Sequence, residues 1–276
     1  MTPEKLAFLG GGNMGRALIG GLLQRGTRSE HIAVGEAHEP ARAQLARDFG
    51  VTATADNAAA VDGAAVVVLA VKPQNAGEVL TPLAPLFQRH RPVLVSVAAG
   101  LRVAALESWC GGNIPVVRSM PNRPALVGAG ATGLYADAST SAAHRAKAES
   151  IMSAVGEAVW VPNEEALDVV TALSGSGPAY FFLLAELMMQ AATELGLDEN
   201  AARRLAIATL HGAGSLARAG DGDLARMRAE VTSKGGTTEA ALKVMNAADM
   251  RGIVARALDA ATQRGREMAK QFGSTR

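Results

Sequence analysis

Two glycine-rich stretches carry the residues best suited to chemistry, FLGGGNMG at 8–15 and TSKGGTTEAAL at 232–242, about 220 residues apart. In the first, Gly10, Gly12 and Gly15 stand in G-x-G-x-x-G register. Gly10 allows a tight turn, Gly12 lets the backbone approach a pyrophosphate, and Gly15 permits close packing of strand on helix. N–H groups at the helix start then face the phosphates. In the second, Gly235 and Gly236 precede the helical run TTEAALKVM, which makes the N–H groups of Gly236, Thr237 and Thr238 the expected orphan donors. A carboxylate there gains about 0.3–1 kcal/mol from the helix dipole before hydrogen bonds are counted. The threonine hydroxyls can orient a neighbouring polar atom. The plainer reading of Gly-Gly-Thr-Thr is an ordinary helix cap.

Which dinucleotide the first turn takes depends on the end of the second strand. Glu36 lies 21 residues beyond Gly15, where a carboxylate accepts hydrogen bonds from the adenosine ribose and repels a 2′-phosphate, which favours NADH. The competing reading is a solvated residue in the loop VGEAHEP. LAVKPQN (69–75) and SVAAGL (96–101) close two apolar strands at the carboxyl edge of the sheet, beyond which ligands bind in open α/β folds. Lys72 is either a surface charge or a neighbour of the cofactor phosphates.

The elements that must position these residues follow from the apolar pattern. KLAFLG, HIAVG, AAVVVLAV, PVLVSV and IPVVRSM alternate with helical stretches up to about Met120. Continuous apolar runs suit strands covered on both faces of a parallel sheet. Residues 1–162 therefore read as an α/β Rossmann domain with a doubly wound, mainly parallel sheet. After Pro162 the strand signal disappears, and residues 163–276 read as an all-α oligomerisation domain, entered through VPN ahead of Glu164 and Glu165. LSGSGPAYFF (173–182) is expected to be a loop passing close to something bulky, with Pro178 in the first turn of the next helix.

Several functions are excluded. With 27 basic against 26 acidic side chains there is no polyanion footprint, which argues against nucleic acid. Ser174 and Ser176 lack the flanking glycines of a nucleophile elbow. None of the five histidines falls at metal-ligand spacing, and the single cysteine, Cys110, can form no intrachain disulfide, so no metal is expected and a reducing cytoplasm fits best. The most apolar helix, AYFFLLAELMMQAA, carries Glu186 mid-span and is not expected to cross a membrane. On a lone subunit it would expose too much surface, so a homo-oligomer is expected.

Taken in order, FLGGGNMG, AVKP, SVAAG, RSMPN, LSGSGPAY and VTSKGGTTEAAL resemble the pyrroline-5-carboxylate reductases over residues 6 to about 245. The resemblance implies reduction of the cyclic imine 1-pyrroline-5-carboxylate to L-proline by NADPH or NADH, the last step of proline synthesis. It also implies a helical domain interlocked with a second subunit. By this resemblance Gly10, Gly12, Asn13 and Met14 match the pyrophosphate turn, and Asn57 an adenosine-side asparagine. Ala70, Lys72 and Pro73 match the cofactor loop, and Ala98 and Ala99 the segment beside the nicotinamide. Ser233, Gly235, Gly236 and Thr237 match the turn that receives the substrate carboxylate, and Thr238 the threonine whose hydroxyl reaches the ring nitrogen. Three positions depart from the family pattern: Arg123 stands where threonine is common, Lys234 where proline is common, and Glu36 where members that favour NADPH carry a small hydroxyl or a basic residue.

The chemistry asks little of the protein, because a protonated imine is already electrophilic and the task is to hold its carbon against a hydride donor. Rival readings are a β-hydroxyacid-dehydrogenase-like or other imine reductase, and a non-catalytic NAD(H)-sensing regulatory protein. The first needs a lysine after the second-domain glycine motif, and SGSGPAYFFLL has none.

Overall fold

The computed structural model describes residues 4–273. Its strands are β1 (Leu6–Leu9), β2 (Ile32–Gly35), β3 (Thr52–Thr54), β4 (Val66–Leu69), β5 (Val93–Ser96), β6 (Val116–Pro121), β7 (Gly130–Tyr135) and β8 (Gly156–Trp160). They form one sheet in the order β3-β2-β1-β4-β5-β6-β7-β8. Neighbours pair in parallel except β6 and β7, which are antiparallel. The first six strands in this order are those of a Rossmann sheet. The helices of this region are α1 (Asn13–Gln24), α2 (Glu39–Phe49), α3 (Asn57–Val61), α4 (Ala76–Leu80), α5 (Ala84–His90), α6 (Val103–Trp109), α7 (Ala142–Ser153) and α8 (Ala166–Val170).

Alternate residues of the central strands serve two cores. Phe8, Val34, Val66, Val68, Val93 and Val95 pack with Leu18, Ile19, Leu45 and Ile151 on one face. Ala7, Leu9, Val67, Leu69 and Leu94 pack with Leu80, Phe87 and Leu106 on the other. Both faces are covered, which is why these strands read as unbroken apolar runs. Cys110 belongs to the second core and is fully buried, and burial pushes its thiol up to about 12. A thiol held neutral and enclosed does not attack. At about pH 8, a thiol-specific reagent is expected to leave the native protein unlabelled and to modify one site per chain after denaturation; rapid native labelling would show that this core opens.

Three strands are absent from the pattern read along the chain. β3 is a short edge strand, and β8 alternates between exposed and half-buried residues. The strand β7, GATGLY, contains glycines that sequence reasoning takes for turns. Here they allow close approach: a Cβ added at Gly133 would lie 2.7 Å from Val170 Cγ1, and one at Gly130 would lie 2.9 Å from the Val155 carbonyl oxygen.

The described chain divides into two compact units, residues 4–176 with 261–273, and residues 177–260. The sheet ends at Trp160, while α8 and the turn after it stay with the sheet because α8 packs on β7. The stretch expected as a loop at 173–177 is instead a π-helical turn, Thr171–Gly175, in which the Ser176 N–H reaches the Thr171 carbonyl at 2.8 Å. Pro178 explains it, since a proline lacks the N–H that would bond the Ser174 carbonyl and its ring crowds that oxygen. Asn122 supplies the missing donor, with Nδ2 2.9 Å from Ser174 O, while its Oδ1 accepts the Ala131 N–H at 2.8 Å.

The second unit holds α9 (Gly177–Glu194), α10 (Glu199–Ala219), α11 (Leu224–Glu230) and α12 (Thr237–Ala247). The last helix, α13 (Met250–Gly273), runs from this unit into the first. Phe181 and Phe182 of α9 are 59% and 62% exposed, and Leu183 and Leu187 are also exposed. The continuous helical run 166–194 is long and apolar enough to cross a membrane by length and composition, Glu186 notwithstanding. Such an uncovered apolar face requires a covering surface.

Candidate active site

In the first unit the turn after β1 brings four strand ends together. The Gly10 N–H donates to Gly35 O at 2.8 Å, the Ala70 N–H to Leu9 O at 2.8 Å, and the Val97 N–H to Leu69 O at 3.0 Å. Gly10 has φ +100°, and a Cβ added there would sit 2.8 Å from Ala70 O. A Cβ on Gly15 would sit 2.5 Å from Gly10 O. Gly12 is different. A Cβ there would meet nothing within 4 Å, so this glycine leaves room for a ligand rather than for the protein. The N–H groups of Gly12, Asn13 and Met14 take no acceptor among the described residues, and the first turn of α1 contains no acidic side chain. A cradle with unspent donors and space beside Gly12 fits the diphosphate of a dinucleotide.

Glu36 faces this turn. Its Oε2 accepts the Gly11 N–H at 2.8 Å and its Oε1 accepts the His38 N–H at 2.9 Å, so the carboxylate is tied to both the glycine turn and the start of α2. The solvated-loop reading of Glu36 is thereby corrected, because two backbone donors 27 residues apart converge on one side chain. Asn57, the first residue of α3, packs where Gly35 has no side chain: a Cβ on Gly35 would lie 2.2 Å from Asn57 Oδ1. Asp56 caps that helix, accepting the Ala58 N–H at 2.8 Å. Ala70 lies against Gly10 and Gly15. Lys72 is exposed and precedes the short 3-10 turn Pro73–Asn75. Ala98 and Ala99 follow β5, with the Ala98 N–H 3.3 Å from Ser96 Oγ. Thus Gly10, Gly12, Gly15, Glu36, Asn57, Ala70 and Ala98, expected on the cofactor side, lie along one carboxyl edge of the sheet, and Glu36 is the residue whose partner only the fold reveals.

In the second unit Gly235 has φ +74°, and the Gly236 N–H closes a turn onto Ser233 O at 3.0 Å. A side chain on Gly236 would strike Ser233 Oγ at 2.5 Å. The expectation that Gly236 offers a free donor is corrected by this turn. The Gly235 N–H is also engaged, by Glu239 Oε2 at 2.7 Å, and Lys243 Nζ lies 3.6 Å from the same oxygen. That leaves the N–H groups of Thr237 and Thr238, which take no acceptor among the described residues, at the start of the 11-residue α12. Ser233, Lys234 and Thr237 are exposed and Thr238 is half-buried. The turn therefore presents two amides and two threonine hydroxyls, and the chain's own carboxylate already shows the affinity of its third amide for an acid group.

Residues that reading along the chain missed are Asn122, which braces the π-turn, and the part-buried ion pairs of Arg102, Arg118, Glu164 and Asp168. Asn122 carried a local signal, the RSMPN motif; the ion pairs carried none, because their partners lie 46 and 66 residues apart.

The chain is similar to known proteins along nearly its whole length. Residues 164–268 match the family described as pyrroline-5-carboxylate reductase dimerisation, and residues 5–100 match NADP oxidoreductase coenzyme F420-dependent. The pyrroline-5-carboxylate reductase of Pseudomonas aeruginosa is 45% identical over 99% of this chain and 100% of its own length. The solved structure of a pyrroline-5-carboxylate reductase from Coxiella burnetii is 38% identical and superposes with a TM-score of 0.93 over 99% of each chain. That of Plasmodium falciparum, with NADP bound, is 26% identical with a TM-score of 0.82 over 98% of this chain and 99% of its own. On the strength of the full-length 45% identity, this chain belongs to the pyrroline-5-carboxylate reductase family of NAD(P)-dependent oxidoreductases acting on a C=N bond.

Proposed function

We propose that the turn at residues 233–238 grips the carboxylate of 1-pyrroline-5-carboxylate, and that the sheet edge of the first unit holds NADH. The observation that carries the substrate half is the pair of unspent amides of Thr237 and Thr238 at a helix start. Those amides and the helix dipole hold the acid group. The Thr238 hydroxyl is left to bond the ring nitrogen, and Ser233 borders the same turn. When bound, the reduced nicotinamide supplies the hydride; the ring nitrogen enters protonated, so the residues of the turn need only orient it. The product is L-proline.

On the cofactor side, Gly12, Asn13 and Met14 offer amides to the diphosphate, Ala70, Lys72 and Pro73 border it, Asn57 stands on the adenosine side, and Ala98 and Ala99 line the nicotinamide end. The tied carboxylate of Glu36 supports NADH over NADPH, since a 2′-phosphate placed there meets a fixed negative charge. The uncovered face of α9, inside the dimerisation match, supports a subunit that interlocks with a second copy.

The direct test is loss of absorbance at the reduced-cofactor band with 1-pyrroline-5-carboxylate, run in parallel with NADH and NADPH. Consumption of cofactor with proline as product is the expected result; binding without turnover would favour a sensor. Glu36→Ser is expected to shift the ratio of kcat/KM values towards NADPH by roughly tenfold or more, equivalent to about 1.4 kcal/mol of relieved repulsion. An unchanged ratio would remove Glu36 from cofactor selection.

A further inference from the structure

Four charged side chains of the first unit are gathered around the start of α6. Arg118, on β6 and 5% exposed, places Nη1 2.9 Å from Glu164 Oε1. The same oxygen accepts the Val103 N–H at 2.7 Å, one of the orphan donors at the start of α6. Arg102, the residue before it, reaches Asp168 Oδ2 at 2.8 Å, while its Nη1 stands 4.0 Å from Glu164 Oε2 without a hydrogen bond. Burial pushes the Arg118 guanidinium below its ordinary pKa and the Glu164 carboxylate pulls it back. Largely enclosed ion pairs seldom stabilise a fold better than apolar packing would, so what these part-buried ones hold in place is the better question.

They hold one point of the backbone, where the loop 97–101 enters α6. The other end of that loop is held too: Ser96 Oγ accepts the Ala98 N–H, and Ser119 Oγ donates to Ser96 O at 2.9 Å. Between the anchors Gly100 takes φ +80°. We propose that Glu164 is a positioning residue for the cofactor, fixing through the Val103 N–H the loop that presents Ala98 and Ala99. This rests on the reading that those alanines border the nicotinamide.

Three variants of the full-length protein test it. Glu164→Ala removes the acceptor, and Glu164→Gln keeps one of the same shape. Val103→Pro deletes the donor and leaves all four charges in place, while exchanging one buried apolar side chain for another. The backbone accepts that proline, because Arg102 is already extended at φ −83°, ψ 152° and the first helical position suits it. The readouts are amide exchange across 97–103 and the Kd for NADH by fluorescence titration. Glu164→Ala and Val103→Pro are expected to speed exchange there and raise the Kd about 3- to 10-fold, the worth of one hydrogen bond. Glu164→Gln should stay near the unmodified protein. If Glu164→Ala does not fold, Val103→Pro decides alone. Unchanged exchange overturns the clamp itself. Faster exchange with an unchanged Kd overturns the proposal by a different route, showing that the loop moves but does not border the cofactor.

Discussion

Gly15→Ala is expected to raise the Kd for reduced cofactor about 100-fold, roughly 2.7 kcal/mol, and to lower the melting temperature as well. The added methyl would stand 2.5 Å from Gly10 O, and the next atoms, Gly10 C at 3.5 Å and Ala70 Cβ at 3.6 Å, are backbone or held by it. No flexible side chain can yield, so α1 must shift from β1, carrying the amides of Asn13 and Met14 away from the phosphate position. Overpacking of this kind costs about 1–3 kcal/mol in stability. Gly12→Ala separates the two effects. Its methyl meets no protein atom within 4 Å and its φ of −70° suits alanine, so the melting temperature should hold while cofactor affinity falls. Normal cofactor binding by Gly12→Ala would mean that the diphosphate does not lie on this turn.

Thr238→Ala is expected to lower kcat/KM for 1-pyrroline-5-carboxylate about 10- to 100-fold, the loss of one hydrogen bond of about 1.4–2.8 kcal/mol realised at the transition state. The backbone donor at this position survives the change, so carboxylate capture remains and the loss isolates the hydroxyl. Thr238→Ser should recover most of the rate, and the Kd for NADH should not move. Kinetics equal to the unmodified protein would assign the ring nitrogen to another group. The neighbouring Glu239 sharpens the expectation: its carboxylate occupies the Gly235 amide and sits in the first turn of α12, so the substrate acid group depends on the amides of Thr237 and Thr238.

Much of the molecule was legible along the chain because the deciding physics is local. The tight turn at Gly10, the start of α12 at Thr237, and the apolar runs of β1, β2, β4 and β5 depend on a residue and its near neighbours. Locality also misled. The glycines of β7 look like turn residues, yet they sit in a strand because α8, Val155 and Ala125 press against it. Pro178 does stand in the first turn of α9, but the stretch before it is a π-turn and not a loop, because Asn122, 52 residues before Ser174, replaces the donor that proline lacks.

By itself, then, the sequence determined where the backbone bends to expose amides, that one half forms a twice-covered parallel sheet, and that the other half is helical with apolar surface to spare. Only tertiary structure decided which amides remain to meet a ligand, since the Gly236 donor is consumed by its own turn and the Gly235 donor by Glu239. It likewise decided that Glu36 is tied to Gly11, and that Glu164 joins Arg118 to the start of α6. Hydrogen bonds between side chains and distant backbone leave no period in a sequence: their partners are set by how the sheet and helices close, not by spacing along the chain.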